Sequence, residues 1–332
     1  MHTRNRGRYL FHCSVFLVFA TLALPGALRA HEINLPDGEE RLGLSRVSDT
    51  VYALQGVLGL PDRDNKAFIS NSGIVITPQG VVIIDSGGSR QVGEMILEEI
   101  DALTDKPDIA IFNTHVHGDH WMGNAAIRRA FPQVKIYAHK RAITRLAEGE
   151  AGAWLDTMQR MTQGATGDTE PVLPETALEG GEQLVFGGLD FKIHHTGHAH
   201  TDSDIRIELP AERVLFTGDI VEHRRAVSVD VPADFCISGQ IAAIRYLLEL
   251  PVEVFVPGHG DTGDRQIPES SLRFLETLLT SVERNYAAGL QDFEMQPQVI
   301  EDLDEFQGWS GMDQVGRLIS FVYLQVEEAS FD

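Results

Sequence analysis

From Gly43 to Asp85 short apolar runs are broken by turn residues. The runs Val51–Val57, Phe68–Thr77 and Val81–Asp85 predict strands, with Pro78, Gln79 and Gly80 as a turn. Between Ser89 and Leu103 the rhythm changes, and Val92, Met95, Ile96, Ile100 and Leu103 recur at helical spacing. Ile109–Asn113 then reads as a buried strand, Gly123–Ala130 as a helix and Val134–Ala138 as a strand. Residues 140–163 are polar with a helical pattern, and Thr162–Thr169 is a loop. Strand rhythm returns at Gln183–Phe186, Leu189–Thr196, Asp204–Leu209 and Val214–Gly218. A helix over Gln240–Leu250, a strand at Val252–Val256 and amphipathic helices at Leu272–Tyr286 and Val315–Val326 complete the chain. Two halves of strands followed by helices predict an α/β fold, with two sheets face to face and helices outside. No low-complexity linker divides residues 31–332, which read as one domain.

With 332 residues, 43% of them hydrophobic, the chain can bury a sizeable core. The first thirty residues are a separate matter. Arg4, Arg6 and Arg8 precede an apolar stretch from Tyr9 to Leu24 and small residues at Ala27 and Ala30, the layout of a secretory signal peptide spanning residues 1–30. His12 and Pro25 interrupt a stretch already near the lower length for a membrane span. The expectation is therefore a periplasmic or secreted protein with no stable membrane association after cleavage. Cys13 leaves with the signal, so Cys236 has no intramolecular partner. Four arginines leave with it too, and the remaining 23 basic against 49 acidic side chains give a formal charge of −26. Such a surface repels phosphate backbones, which argues against nucleic acid and for a small-molecule substrate.

The chemistry lies in Thr114-His115-Val116-His117-Gly118-Asp119-His120, directly after the strand Ile109–Asn113. Three imidazoles and a carboxylate within six residues are hard to explain as packing, and they are the donors zinc accepts. His115 and His117, two apart in extended chain, can face one ion; Asp119 and His120, beyond the Gly118 bend, can face a second. Three further segments each follow a predicted strand: Gly197-His198-Ala199-His200-Thr201, Phe216-Thr217-Gly218-Asp219 and Pro257-Gly258-His259-Gly260. Each is weak alone; their order and their places at strand ends carry the signal.

These residues, with Ile83-Ile84-Asp85-Ser86-Gly87, make the chain resemble the metallo-β-lactamase superfamily from about Gly43 to His259. The resemblance implies a four-layer αββα sandwich with a dinuclear zinc site at one edge. His115, His117 and His200 would hold the first ion, Asp119, His120 and His259 the second, and Asp219 would bridge them. His200 is preferred to His198 because the family's ligand is followed by threonine; the role of His198 stays open. Zinc rather than another metal follows from the family, since nitrogen and oxygen donors suit several ions. Two zinc ions would lower the pKa of a shared water and polarise the scissile oxygen, with Asp119 also orienting the water as the catalytic residue. Asp85 is either a turn residue or a partner that orients a ligand histidine through its other ring nitrogen.

An aspartate at position 219 is similar to thioester hydrolases such as glyoxalase II and their exported relatives, rather than to dedicated lactamases. The implied reaction is hydrolysis of an ester-, thioester- or amide-type bond. Arg224 and Arg225, close after Asp219 in an acidic chain, suggest a clamp for an anionic group of the substrate; pairing with surface acids is the plainer alternative. His223 could assist proton transfer. Trp121, Trp154 and Met158 could wall the pocket, with core packing the simpler role for each. The competing functions are a metallo-β-lactamase proper and a mononuclear-iron persulfide dioxygenase-like relative, the latter having no use for His120 and His259. Oligomeric state leaves no mark in the sequence.

Overall fold

The computed structural model describes residues 31–34, 41–227 and 234–331, so the expected signal peptide lies outside the described residues. Strands β1 (His31–Asn34), β2 (Arg41–Arg46), β3 (Val51–Gln55), β4 (Ser72–Ile76), β5 (Val81–Ile84), β6 (Asp108–Phe112), β7 (Lys135–His139) and β8 (Thr176–Leu178) form one sheet in sequence order. Strands β9 (Gln183–Phe186), β10 (Leu189–His194), β11 (Arg206–Leu209), β12 (Val214–Glu222) and β13 (Val254–His259) form a second, ordered β13-β12-β11-β10-β9.

Alternation of side chains assigns the layers. In β5 and β6, Val82, Ile84, Ala110 and Phe112 face the second sheet, where they meet Phe191, Ile207 and Phe216. Their neighbours Val81, Ile83 and Ile111 face the other way, onto α1 (Arg90–Leu103) and α3 (Asn124–Ala130). The second sheet repeats the scheme, with Leu215, Ile220 and Phe255 packed on α6 (Ile237–Leu247), α7 (Gln266–Ala287), α8 (Asp292–Asp302) and α9 (Val315–Ala329). The result is the expected four-layer αββα sandwich. Between the sheets, Gly73 of β4 leaves room for the Phe216 ring, which a Cβ there would meet at 2.3 Å.

Some local expectations are corrected. Phe68–Asn71 is not strand: Lys66 and Ala67 take positive φ (50° and 66°), so the chain turns and β4 begins only at Ser72. Residues 140–163 are not one helix. α4 (Lys140–Arg145) passes through a π-helical turn, where Gly149 has φ 123°, into α5 (Ala151–Met161). Among the described residues no helix is long and apolar enough to cross a membrane.

Candidate metal centre

β5 and β6 are parallel, as are β12 and β13, so the loops leaving these strands open at their carboxyl ends. The loop after β10 joins them, because β10 and β12 are both antiparallel to β11. Strand order alone thus gathers the five segments singled out in the sequence. His115, His117, Asp119 and His120 follow β6, the last two on the short helix α2 (Gly118–Trp121); His200 follows β10, Asp219 lies within β12, and His259 ends β13. The register of β12 against β13 shifts at Gly218, which has φ 52°. This kink turns Asp219 inward. Its carboxylate then occupies the space a side chain on residue 258 would fill: a Cβ on Gly258 would lie 1.8 Å from Asp219 Oδ1.

All seven residues are at most 7% exposed, and they fall into two groups. Donor atoms of His115, His117, His200 and Asp219 lie within 4.8 Å of one another, as do those of Asp119, His120 and His259. Asp219 also touches the second group, with Oδ1 3.3 Å from His120 Nε2 and Oδ2 3.2 Å from His259 Nε2. His115 Nε2, His120 Nε2 and Asp219 Oδ1 are buried with no hydrogen-bond partner. Orphaned buried polar atoms are costly, and a divalent cation satisfies all three, so the donor set fits a metal. Sulfur is absent from the set, which is all imidazole and carboxylate.

The outer ring nitrogens fix the inner ones. His120 Nδ1 donates to Asp85 Oδ2 (2.8 Å), and His259 Nδ1 donates to the Ile69 carbonyl (2.6 Å), so each presents Nε2 to the centre. Asp85 is therefore an orienting partner of a candidate ligand. It sits at φ 57° and also accepts from the Thr114 N–H (2.7 Å) and hydroxyl (2.8 Å), a strained position held by three bonds. His115 Nδ1 is 3.0 Å from the Thr114 hydroxyl. His117 Nδ1 and His200 Nε2 face each other at 3.0 Å.

Charge is divided unevenly across the centre. Burial pushes His117 down to about 4 and His200 to about 3, and it lowers His115 as well, leaving neutral imidazoles with free lone pairs. His259 instead stands at about 9: burial and Arg225 push it down, but the Asp219 and Asp119 carboxylates outweigh them. His120 is raised against its burial by Asp219, Asp119 and Asp85. The excess protons mark a site of surplus negative charge, which metal binding displaces.

Above the donors lies a cleft bordered by His117, Asp119, Asp219 and His259 and by Arg225. Arg225 is 7% exposed; its Nε is 3.2 Å from Glu222 Oε2, and its Nη1 is buried without a partner. Glu222 was not singled out in the sequence, where it reads as an ordinary strand-end acid. Buried, its carboxyl rises to about 7 despite Arg225. Arg224 does not join its neighbour: at φ 56° it points to the exposed surface and does not border the cleft, so the expected double clamp reduces to one arginine.

The remaining candidates sort plainly. Trp154 and Met158 border the cleft. Trp121 does not: it is fully buried in the core and donates to the Val116 carbonyl. His198 Nε2 meets the Asp234 carbonyl at 2.7 Å, away from the donors, and His223 lies 3.4 Å from Asp261. Asn71, missed because its segment reads as strand, donates to the carbonyls of Pro257 (2.9 Å) and Gly260 (2.8 Å) and so pins the loop that carries His259.

The family model of the metallo-beta-lactamase superfamily matches residues 65–259. A metallo-beta-lactamase type 2 from Bacillus sp. (strain 170) is 24% identical over 215 residues, 64% of this chain and 75% of that one. Another from Bacteroides fragilis is 22% identical over 82% of this chain and 99% of its own. Among solved structures, a metallo-beta-lactamase from Pontibacter korlensis aligns with TM-score 0.56 at 22% identity, over 71% of this chain and 99% of that one. A stereoselective inverting sec-alkylsulfatase from Pseudomonas sp. aligns with TM-score 0.65 at 17% identity, over 86% and 50%. With both sheets and every ligand segment accounted for, the chain belongs to the metallo-beta-lactamase superfamily. Within it, the protein is a metal-dependent hydrolase whose His/Asp cluster binds divalent metal.

Proposed function

We infer that the protein is an exported hydrolase holding two zinc ions, which cleaves an ester-, thioester- or amide-type bond in a small anionic substrate. The observation that carries the reading is Asp219, whose carboxylate lies 3.2–3.8 Å from nitrogens of His115, His120, His200 and His259 and so belongs to both donor groups. A pair of divalent ions supplies a nucleophilic water near neutral pH and polarises the scissile oxygen. The chain's own residues do the rest. Asp119 stays ionised, because His120 and His259 overcome the effect of burial, and its Oδ2 lies 3.6 and 3.4 Å from their Nε2 atoms at the cleft floor. It is thus placed to orient the attacking water. Arg225, buried and paired through Nε with Glu222, offers its free Nη1 to a carboxylate or sulfonate of the substrate.

Export rests on the N-terminal pattern of arginines, apolar stretch and small residues. N-terminal sequencing of the mature protein tests it. Metal analysis together with a panel of thioesters and β-lactams, with a chelator control, tests the rest. About two zinc per chain and chelator-sensitive thioester turnover are expected; a single iron per chain would overturn the reading. The lactamase relatives keep a second reading in play, and lactam turnover with idle thioesters selects it. An iron-dependent oxidation would leave Asp119, His120 and His259 without a task.

A further inference from the structure

The cleft has two chemically different sides. Facing the donors and Arg225 is an apolar wall contributed by two places in the chain: Leu60, Pro61 and Ile69 from the β3–β4 connection, and Trp154, Met158 and Met161 from α5. With Thr157, which also borders the cleft, the α5 residues fall at i, i+3, i+4 and i+7 and share one helix face. From Trp154 to Met161 this face runs roughly 10 Å at the rise of an α-helix. Met158 is buried, while Trp154, Thr157 and Met161 are partly open to the cleft.

α5 is seated firmly against the metal centre. The Trp154 ring is 5.0 Å from the His117 ring, and a Cβ on Gly118 would come within 3.1 Å of Trp154 Cβ. Just before α5, the Arg145 guanidinium forks onto Glu150 (2.7 and 2.9 Å) and reaches Asp202 (3.0 Å) and Asp234 (2.7 Å). Asp202 lies two residues past His200, so one arginine ties the kink ahead of α5 to a loop of the centre. The wall begins at the donors and leads away from them.

We propose that this face of α5, with Leu60 and Pro61, is a channel for an apolar arm of the substrate, and that the enzyme acts on slender anionic amphiphiles. The proposal rests on the hydrolase reading above and names its substrate class: an anionic group at Arg225, the scissile bond over the metal donors, and a hydrocarbon arm along Trp154, Met158 and Met161. Unbranched, polarisable methionines adapt to such an arm without fixing its shape.

The test is calorimetric titration of the metal-loaded protein with acetate, butanoate, hexanoate, octanoate and decanoate. Affinity should rise about threefold to fourfold per added methylene until the arm fills the roughly 10 Å face, then level off. Met161→Glu and Leu60→Asp should each flatten the series, while Met161→Leu keeps it. Indifference to chain length in the wild type overturns the proposal, as does an undiminished slope in both charged variants. The two readings separate cleanly. A steep series in a protein that turns over no ester, thioester or amide upholds the channel and removes the proposed bond class. Vigorous hydrolysis with a flat series does the opposite.

Discussion

Asp119 and Asp85 do different work within a few ångströms of each other. The Asp119 side chain faces the cleft, whereas its backbone carbonyl accepts from Ser70 Oγ, a bond that any residue at this position retains. Asp119→Ala should therefore remove turnover by about a thousandfold or more while leaving the fold almost intact. Steady-state kinetics beside far-ultraviolet circular dichroism checks both halves, and retained activity would reject the assigned role. Asp85 acts through His120. Asparagine tolerates its left-handed backbone and keeps an oxygen for the Thr114 N–H, but its amide nitrogen cannot accept, so Asp85→Asn removes both the negative charge behind the imidazole and the bond from His120 Nδ1. Metal affinity should fall roughly 10–100-fold, measured by chelator competition. An unchanged affinity would show that the 2.8 Å bond to His120 has no bearing on metal binding.

Strand β6 carries the centre at one end and an uncompensated acid at the other. Both Asp108 oxygens are buried without partners, and burial, with Asp101 adding to it, lifts the carboxyl from 3.8 to about 7. The folded chain thus binds this proton more tightly than the unfolded chain does. The contribution of Asp108 to stability declines as pH rises from about 4 to about 7 and is flat above. Asp108→Asn should stabilise the protein by on the order of 2 kcal/mol at about pH 8, with the advantage shrinking toward about pH 4. Thermal melts of both proteins across that range decide it, and a pH-independent difference would count against the mechanism. Elements also explain what could be read in advance. Strands ending in ligands were legible because alternation and the histidine string coincide, as in β6. α8 was not, since Pro297 interrupts it and Phe293 is exposed, leaving only Met295 and Val299 on the buried side. The turn at Lys66 and Ala67 was hidden for a different reason: Ala67, Phe68 and Ile69 are apolar because they are buried, and burial alone does not distinguish a loop from a strand. The solitary role of Arg225 depends on a positive φ at Arg224 that no sequence pattern announces.

At the scale of the molecule, the donors belong to both sheets: His115, His117, Asp119 and His120 to the first, His200, Asp219 and His259 to the second. Bound metal therefore links the two halves as well as serving catalysis. Stripping it with a chelator should lower the melting temperature by roughly 5–10 °C for a chain of this length, recovered on adding the ion back. Identical melts with and without metal would mean that the sheets hold together without help from the centre.

The position of His259 has a temporal corollary. It ends β13, the thirteenth of thirteen described strands, and its ring is aimed by a carbonyl from Ile69, 190 residues earlier. A chain emerging amino-terminus first has the four early donors in hand long before the last one exists. The ion can be gripped fully only once the carboxyl-terminal strand has threaded in beside β12, so metal uptake reports completed assembly in the manner of a clasp fastened last.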